Sequence, residues 1–273
     1  MSQYRKWYAA VIDYAPTEQL LGYPDRVVTQ GMVMALTDAH AFDRVGELAP
    51  QGVKQMTLRP WSRRPLSYKL AFVEHLAELI ETDTIMCGCY HSDEALIRRI
   101  GKSFTRQFTG DLEKSDDLNR HGKKRMTLGL RHGDGTSFEA KILVDEIYVL
   151  GWVAESFETH LGMLDNINGE QVGLTYLLDQ LPTEKGGDVL LKANVLNWML
   201  HTKHGDRIRM GVHEKGTSNA RDLLADNVAG LASDIFHQPL SELAKANTAH
   251  GNLFRFTRDN RTGNTLTFKL VDK

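Results

Sequence analysis

Short apolar runs punctuate the chain, and their periods predict its elements. WYAAVID (7–13) has the character of a buried strand that stops at Asp13, before Tyr14, Ala15 and the chain-breaking Pro16. VVTQGMVMALTDA (27–39), rich in Val and Met, predicts a second strand. In LSYKLAFVEHLAELIE (66–81), Leu70, Phe72, Val73, Leu76, Leu79 and Ile80 recur at helical spacing behind Pro65, which suits a first helical turn. TDTIMCGCY (82–90) reads as a strand, so a strand, helix, strand order of α/β type emerges.

The middle of the chain is charged. Residues 92–126 include Arg98, Arg99, Lys102 and Arg106, then Lys123, Lys124 and Arg125, and read as an insertion or loop. Such runs are most often solvated faces, and a nucleic-acid contact surface is the alternative. AKILVDEIYVLGWVAESFETHLGML (140–164) is apolar enough for a strand followed by a helix, with Asp145 and Glu146 inside the run. LTYLLDQLP (174–182) repeats the first design, an apolar strand reaching Asp179 and closed by Pro182. A helix over 186–200, a short strand over 207–214 and an amphipathic helix over 223–236 follow, the last with Thr217, Ser218 or Asn219 as N-cap candidates. NLFRFTRDNRTGNTLTFKLVDK predicts a hairpin around Arg261, Thr262 and Gly263.

Composition narrows the class without naming a partner. With 273 residues, 41% hydrophobic and 25% charged, the chain can bury a large core and is not compositionally disordered. Its formal net charge of -2 leaves no bulk attraction for nucleic acid, so such a role needs a local basic surface. The N-terminal residues lack the apolar run of a signal peptide and no stretch approaches a membrane span, which reads as cytoplasmic with no membrane partner. Cys87 and Cys89 alternate onto one strand face, as buried small hydrophobes or, with His91, as an incomplete metal set.

The chemistry concentrates in LLADNVAGLASDIF (223–236). Leu224, Val228, Leu231 and Ile235 share one helical stripe, and Ala225, Ala229, Ala232 and Phe236 a neighbouring one. Asp226 lies just past the alanine edge, where a close-packed helix would hold it near a sheet. A carboxylate there needs an arginine, a cap or a metal. Asp13 and Asp179 both end apolar strands, where α/β sheets commonly place ligands. If Asp13, Asp179 and Asp226 converge, their repulsion calls for cations, and their hard oxygens suit Mg2+ or Mn2+. Two such ions can activate water and stabilise the leaving oxygen in phosphodiester cleavage. Taken singly, each aspartate also has a plainer reading as a turn residue or, for Asp226, an ion-pair partner of Arg221 or Arg207.

The order Asp13, the LLDQ strand with Asp179, and the ADNVAG helix with Asp226 resembles the RNase H-like family catalogued as domain of unknown function 3800. Ala225, Asp226, Val228, Ala229 and Gly230 fit that family's last helix motif, and the resemblance spans roughly 5–90 and 174–238. It implies an α/β fold, an RNase H-like mixed sheet flanked by helices, over 1–238 with an insertion at about 92–173. Residues 239–273 lie outside the resemblance and are expected to form a C-terminal extension, a β-hairpin tail packed on the domain.

The implied activity is metal-dependent cleavage of DNA or RNA, with Asp13, Asp179 and Asp226 as catalytic and metal-holding residues. Tyr14 and Gln180 depart from the pattern, standing where the family usually carries acids, while Asn227 and Leu223 replace an apolar residue and a frequent Gln. Losing two acids keeps a second reading open: a catalytically degenerate subunit that binds nucleic acid or a protein partner, or forms a homo-oligomer. Arg63 and Arg64, beside Arg59 and Trp61, and Lys123, Lys124 and Arg125 are the candidate nucleic-acid contacts. His213 and Glu214 are candidate proton carriers, and His201 and His204 read as helix-end residues.

Overall fold

A computed structural model describes residues 6–15, 27–36, 61–81, 85–109, 123–131, 137–178, 189–212, 220–258 and 265–269. The strands are β1 (Trp7–Ala15), β2 (Val27–Leu36), β3 (Met86–Asp93), β4 (Arg125–Arg131), β5 (Ser137–Leu143), β6 (Gly173–Leu178), β7 (Ile208–Val212), β8 (Phe256–Arg258) and β9 (Thr265–Lys269). The helices are α1 (Leu66–Glu81), α2 (Glu94–Thr109), α3 (Val144–Asn168), α4 (Val189–His204), α5 (Ala220–His237) and α6 (Glu242–Ala249).

The protein is mixed α/β. Its main sheet runs in the order β7, β6, β1, β2, β3, with β9 and then β8 beyond β3, while β4 and β5 pair separately. β1, β6 and β7 are parallel, and β2 runs antiparallel between β1 and β3. β9 lies antiparallel on β3 and β8 on β9, with 259–264, which include the expected turn residues, outside the described residues.

Alternation along β1 divides the core into two layers. Tyr8, Ala10, Ile12 and Tyr14 pack with α2, α3 and α4, whereas Ala9 and Val11 pack with α1, α5 and α6. Asp13 shares the second face by the same period. That face meets α5 as closely as the alanines foretell: a Cβ at Gly31 of β2 would lie 2.7 Å from the Ala229 backbone.

The charged stretch from 92 starts not as a loop but as α2. Ile97, Ile100, Phe104 and Thr105 are buried at helical spacing, and Arg99 and Arg106 point outward. Residues 110–122 lie outside the described residues. The strand and helix expected over 140–164 are β5 and α3. Helix α3 carries Trp152 and Phe157 fully into the core, and it ends on Gly169 in the left-handed region (φ 65°), which glycine adopts without a Cβ penalty.

Two histidines are sealed into these layers. Burial, helped by neighbouring His237, pulls His91 down to about 3. Burial pulls His160 down to about 4, against its hydrogen bond with the Ser156 carbonyl. Depressed values mean that the fold favours the neutral rings. Their stabilisation is therefore full above the unfolded value near 6.5 and is lost as pH falls toward 4 and 3. At pH 5 each withdraws about 2 kcal/mol. The melting temperature is expected to fall between pH 7.5 and pH 5, with part of the fall removed in His160→Phe. Equal pH slopes for wild type and variant would refute this assignment.

Candidate functional site

Asp13 is 7% exposed, and its Oδ1 accepts the Tyr14 N–H at 2.7 Å. Its register partner across the antiparallel ladder is Gly31, the glycine that meets Ala229 of α5. Asp226 lies three residues before Ala229, which sets it about 60° around the helix from the residue that touches the sheet. The two carboxylates are thus carried to one side of the sheet, Asp13 from below and Asp226 along the flank of α5. Asp226 is partly exposed, while Ala225, Asn227, Val228 and Ala229 around it are buried.

The same flank of α5 is packed by α1 and the turn before it. Asn227 Nδ2 donates to the Tyr68 hydroxyl at 2.8 Å, and the Arg64 guanidinium lies 4.4 Å over the Tyr68 ring. Burial raises the Tyr68 phenol above its ordinary value. The Asn227 bond and the Arg64 charge oppose that rise, and the negative charge of Asp226 adds to it. Asp226, Tyr68, Asn227 and Arg64 therefore share one electrostatic neighbourhood. Arg64 is 5% exposed, set beneath the surface, while Arg63 is exposed.

Trp61 holds this flank in place. It opens a 3-10 turn, Trp61–Arg63, and its ring lies so close that a Cβ at Gly230 would approach it to 2.2 Å. Its Nε1 donates to Asp234 at 2.8 Å, and Lys69 donates to the same carboxylate at 2.6 Å. Asp234 is an ion-pair partner and a clamp on Trp61.

The remaining candidates fall into separate places. Asp179 follows Leu178, which pairs with Ile12 in the parallel β1–β6 ladder, and itself lies outside the described residues. So do Arg59, Gln180, His213 and Glu214 and the N-cap candidates 217–219. Tyr14 points to the opposite face from Asp13, where its ring lies 6.4 Å from that of Trp152 and its hydroxyl accepts from Gln30 Nε2 at 3.4 Å. Asp145 pairs with Arg98, and Glu146 forms a buried pair with Lys192 at 2.6 Å. Both ion pairs bind helices together on the α2, α3 face. His204 bonds Glu158 at 2.8 Å, and His201 approaches Asp206 at 4.0 Å. Cys87 and Cys89 are buried and form no disulfide, and His91 bonds Thr29 at 2.9 Å. Lys123 and Lys124 are exposed at the start of β4, and Arg125 is half-buried.

Sequence reasoning passed over Tyr68, noted Asn227 only as a departure from the family pattern, and offered Arg64, which is 5% exposed, as a nucleic-acid contact. One signal was present: Asn227 occupies an apolar slot directly after Asp226, and a buried amide requires a polar partner. Among the described residues, no group of three or more His, Cys, Asp or Glu side chains could hold a metal ion. The donor set in view comprises two aspartates, whose hard oxygens suit a hard cation. No family model matches the chain, and no curated protein matches it.

Proposed function

We propose that the protein is an RNase H-like, metal-dependent nuclease that cleaves phosphodiester bonds of DNA or RNA. One observation carries this reading: Gly31 seats Ala229 of α5 on the β1–β2 ladder, so Asp13 and Asp226, distant in sequence, share one side of the sheet. The strand order β7, β6, β1, β2, β3, with β2 alone antiparallel among them, supports the RNase H-like reading of the fold. In this reading the tail from 239 is an extension packed on the domain, but it opens with helix α6, and only β8 and β9 form the expected hairpin.

Asp13, Asp226 and, from sequence, Asp179 would hold Mg2+ or Mn2+. When bound, such ions lower the pKa of water and neutralise charge on the phosphoryl group. The chain's own residues orient and bind. The Tyr14 N–H fixes one Asp13 oxygen, and the Arg64 charge lies on the Asp226 flank, where it favours an anionic substrate. Asn227 and Tyr68 fix the flank of α5 from which Asp226 projects.

Purified protein is expected to cleave labelled single- or double-stranded DNA or RNA with Mg2+ or Mn2+, and to stop in EDTA. No metal-dependent cleavage of any of the four, above a mock purification, would refute the nuclease reading. A second reading, a catalytically degenerate subunit that binds nucleic acid or a protein partner, draws on Tyr14. Its side chain is 2% exposed and committed to the aromatic core, so position 14 offers no acid.

A further inference from the structure

Helix α5 is held from two sides, and the two sides restrain it differently. Toward the sheet it presents Ala225, Ala229 and Ala232, all buried, and Ala229 rests on Gly31. A face of methyl groups on a glycine permits close approach, but it offers no ridge that stops the helix rolling about its own axis. The side turned away from the sheet is polar. Asn227 lies about 160° around the helix from Ala229, and Asp234, two turns on, lies within about 20° of Asn227. Both are bonded to one short segment, residues 61–69. Asn227 Nδ2 donates to the Tyr68 hydroxyl at 2.8 Å, while Asp234 accepts from Trp61 Nε1 at 2.8 Å and from Lys69 Nζ at 2.6 Å.

Stability alone does not account for Asn227. Its side chain is buried, and among the described residues its Oδ1 accepts no hydrogen bond. A buried amide with one end unmet costs folding free energy that an apolar side chain of similar size would not. What the amide supplies is direction, because a hydrogen bond weakens steeply as its angle is lost and an apolar contact does not. Two directional attachments, two turns apart on one stripe, define the roll of a helix. Asp226, about 60° from Ala229, lies between the sheet contact and this stripe. A roll of about 20° would carry a side-chain tip, about 6 Å from the helix axis, through about 2 Å. Misplacing a reacting group by about 1 Å can cost about 100-fold in rate.

We propose that segment 61–69 is a two-point lock on the roll of α5, with Tyr68 and Asn227 as positioning residues that set the Asp226 carboxylate relative to Asp13. What the lock serves rests on the nuclease reading, and whether it exists is tested without that reading. Tyr68→Phe removes only the hydroxyl. It is expected to lower the Mn2+-dependent cleavage rate roughly tenfold, with the substrate KM unchanged, and to raise the Mn2+ concentration for half-maximal rate. Tyr68→Phe/Asn227→Leu removes both polar partners, so it is expected to regain the melting temperature that Tyr68→Phe loses while keeping the loss of rate. A rate that returns with the melting temperature, or that never falls in Tyr68→Phe, would overturn the lock.

The metal-free readout is the alkylation of Asp226→Cys by N-ethylmaleimide in EDTA, measured alone and combined with Tyr68→Phe/Asn227→Leu. Cys87 and Cys89 are buried, so the added thiol dominates the reaction. Its rate is expected to change severalfold when the lock is removed, and equal rates would overturn the lock. A wild type that cleaves nothing refutes the nuclease reading only, and the alkylation comparison then decides the lock by itself.

Discussion

Asp226→Asn is expected to abolish metal-dependent cleavage while leaving the fold intact. Asp226 is partly exposed on the flank of α5, and asparagine has nearly the same shape, so the helix loses neither packing nor a cap. What it loses is one unit of negative charge and a hard anionic oxygen, the two properties a divalent ion takes from this residue. Removing a mere outer-shell partner of a metal ligand costs about 10- to 100-fold in affinity or activity, so removing a ligand should exceed roughly 100-fold. The Mn2+ concentration for half-maximal rate should rise in any residual activity, which a purely structural role would not produce. Asp13→Asn should behave alike, since the amide oxygen can still accept the Tyr14 N–H. A folded Asp226→Asn protein that cleaves at the wild-type rate and the same metal concentration would remove this mechanism.

The two-sided burial of β1 explains why part of this site could be read from sequence. Tyr8, Ala10 and Ile12 alternate with Ala9 and Val11 into two layers, so the run with apolar residues at every position matches a strand covered on both faces. The expectation that the strand stops at its first acid does not hold: β1 runs on to Ala15, with Asp13 and Tyr14 both buried. The same logic made the small residues of α5 informative: Ala225, Ala229 and Ala232 predict close approach, and Gly31 receives it. Tyr68, and the place of Arg64 over its ring, stayed hidden because they depend on a contact across more than 150 positions of sequence, Asn227 to Tyr68, that no local period encodes. Helix α2 stayed hidden for a different reason. Its apolar stripe is narrow, and Arg98, Arg99, Lys102 and Arg106 dominate its composition, so charge masked the periodicity of Ile97, Ile100 and Phe104.

That narrow stripe makes α2 sensitive at one position. Gly101→Ala is expected to destabilise the protein by about 3 kcal/mol, and Gly101→Leu to prevent accumulation of folded protein. A Cβ at Gly101 would lie 1.8 Å from the Tyr148 carbonyl oxygen and 2.8 Å from its Cα. Both atoms belong to the α3 backbone and cannot rotate aside as a side-chain tip would. A Cβ at Gly151 would in turn lie 2.7 Å from the Gly101 carbonyl oxygen, so the helices cross glycine on glycine and neither can yield without separating the other. Separation would pull Tyr148, Val149 and Trp152 away from the core that α2 and α3 share. Against the roughly 5 to 15 kcal/mol that holds a domain together, such a loss is large. Gly162, on the same helix α3, supplies the control, because nothing lies within 4 Å of its added Cβ. There alanine should raise stability by about 0.5 to 1 kcal/mol through helix propensity alone. Urea unfolding of the two alanine variants should therefore move the midpoint in opposite directions. A Gly101→Ala midpoint equal to the wild type would show that α2 and α3 do not cross this closely.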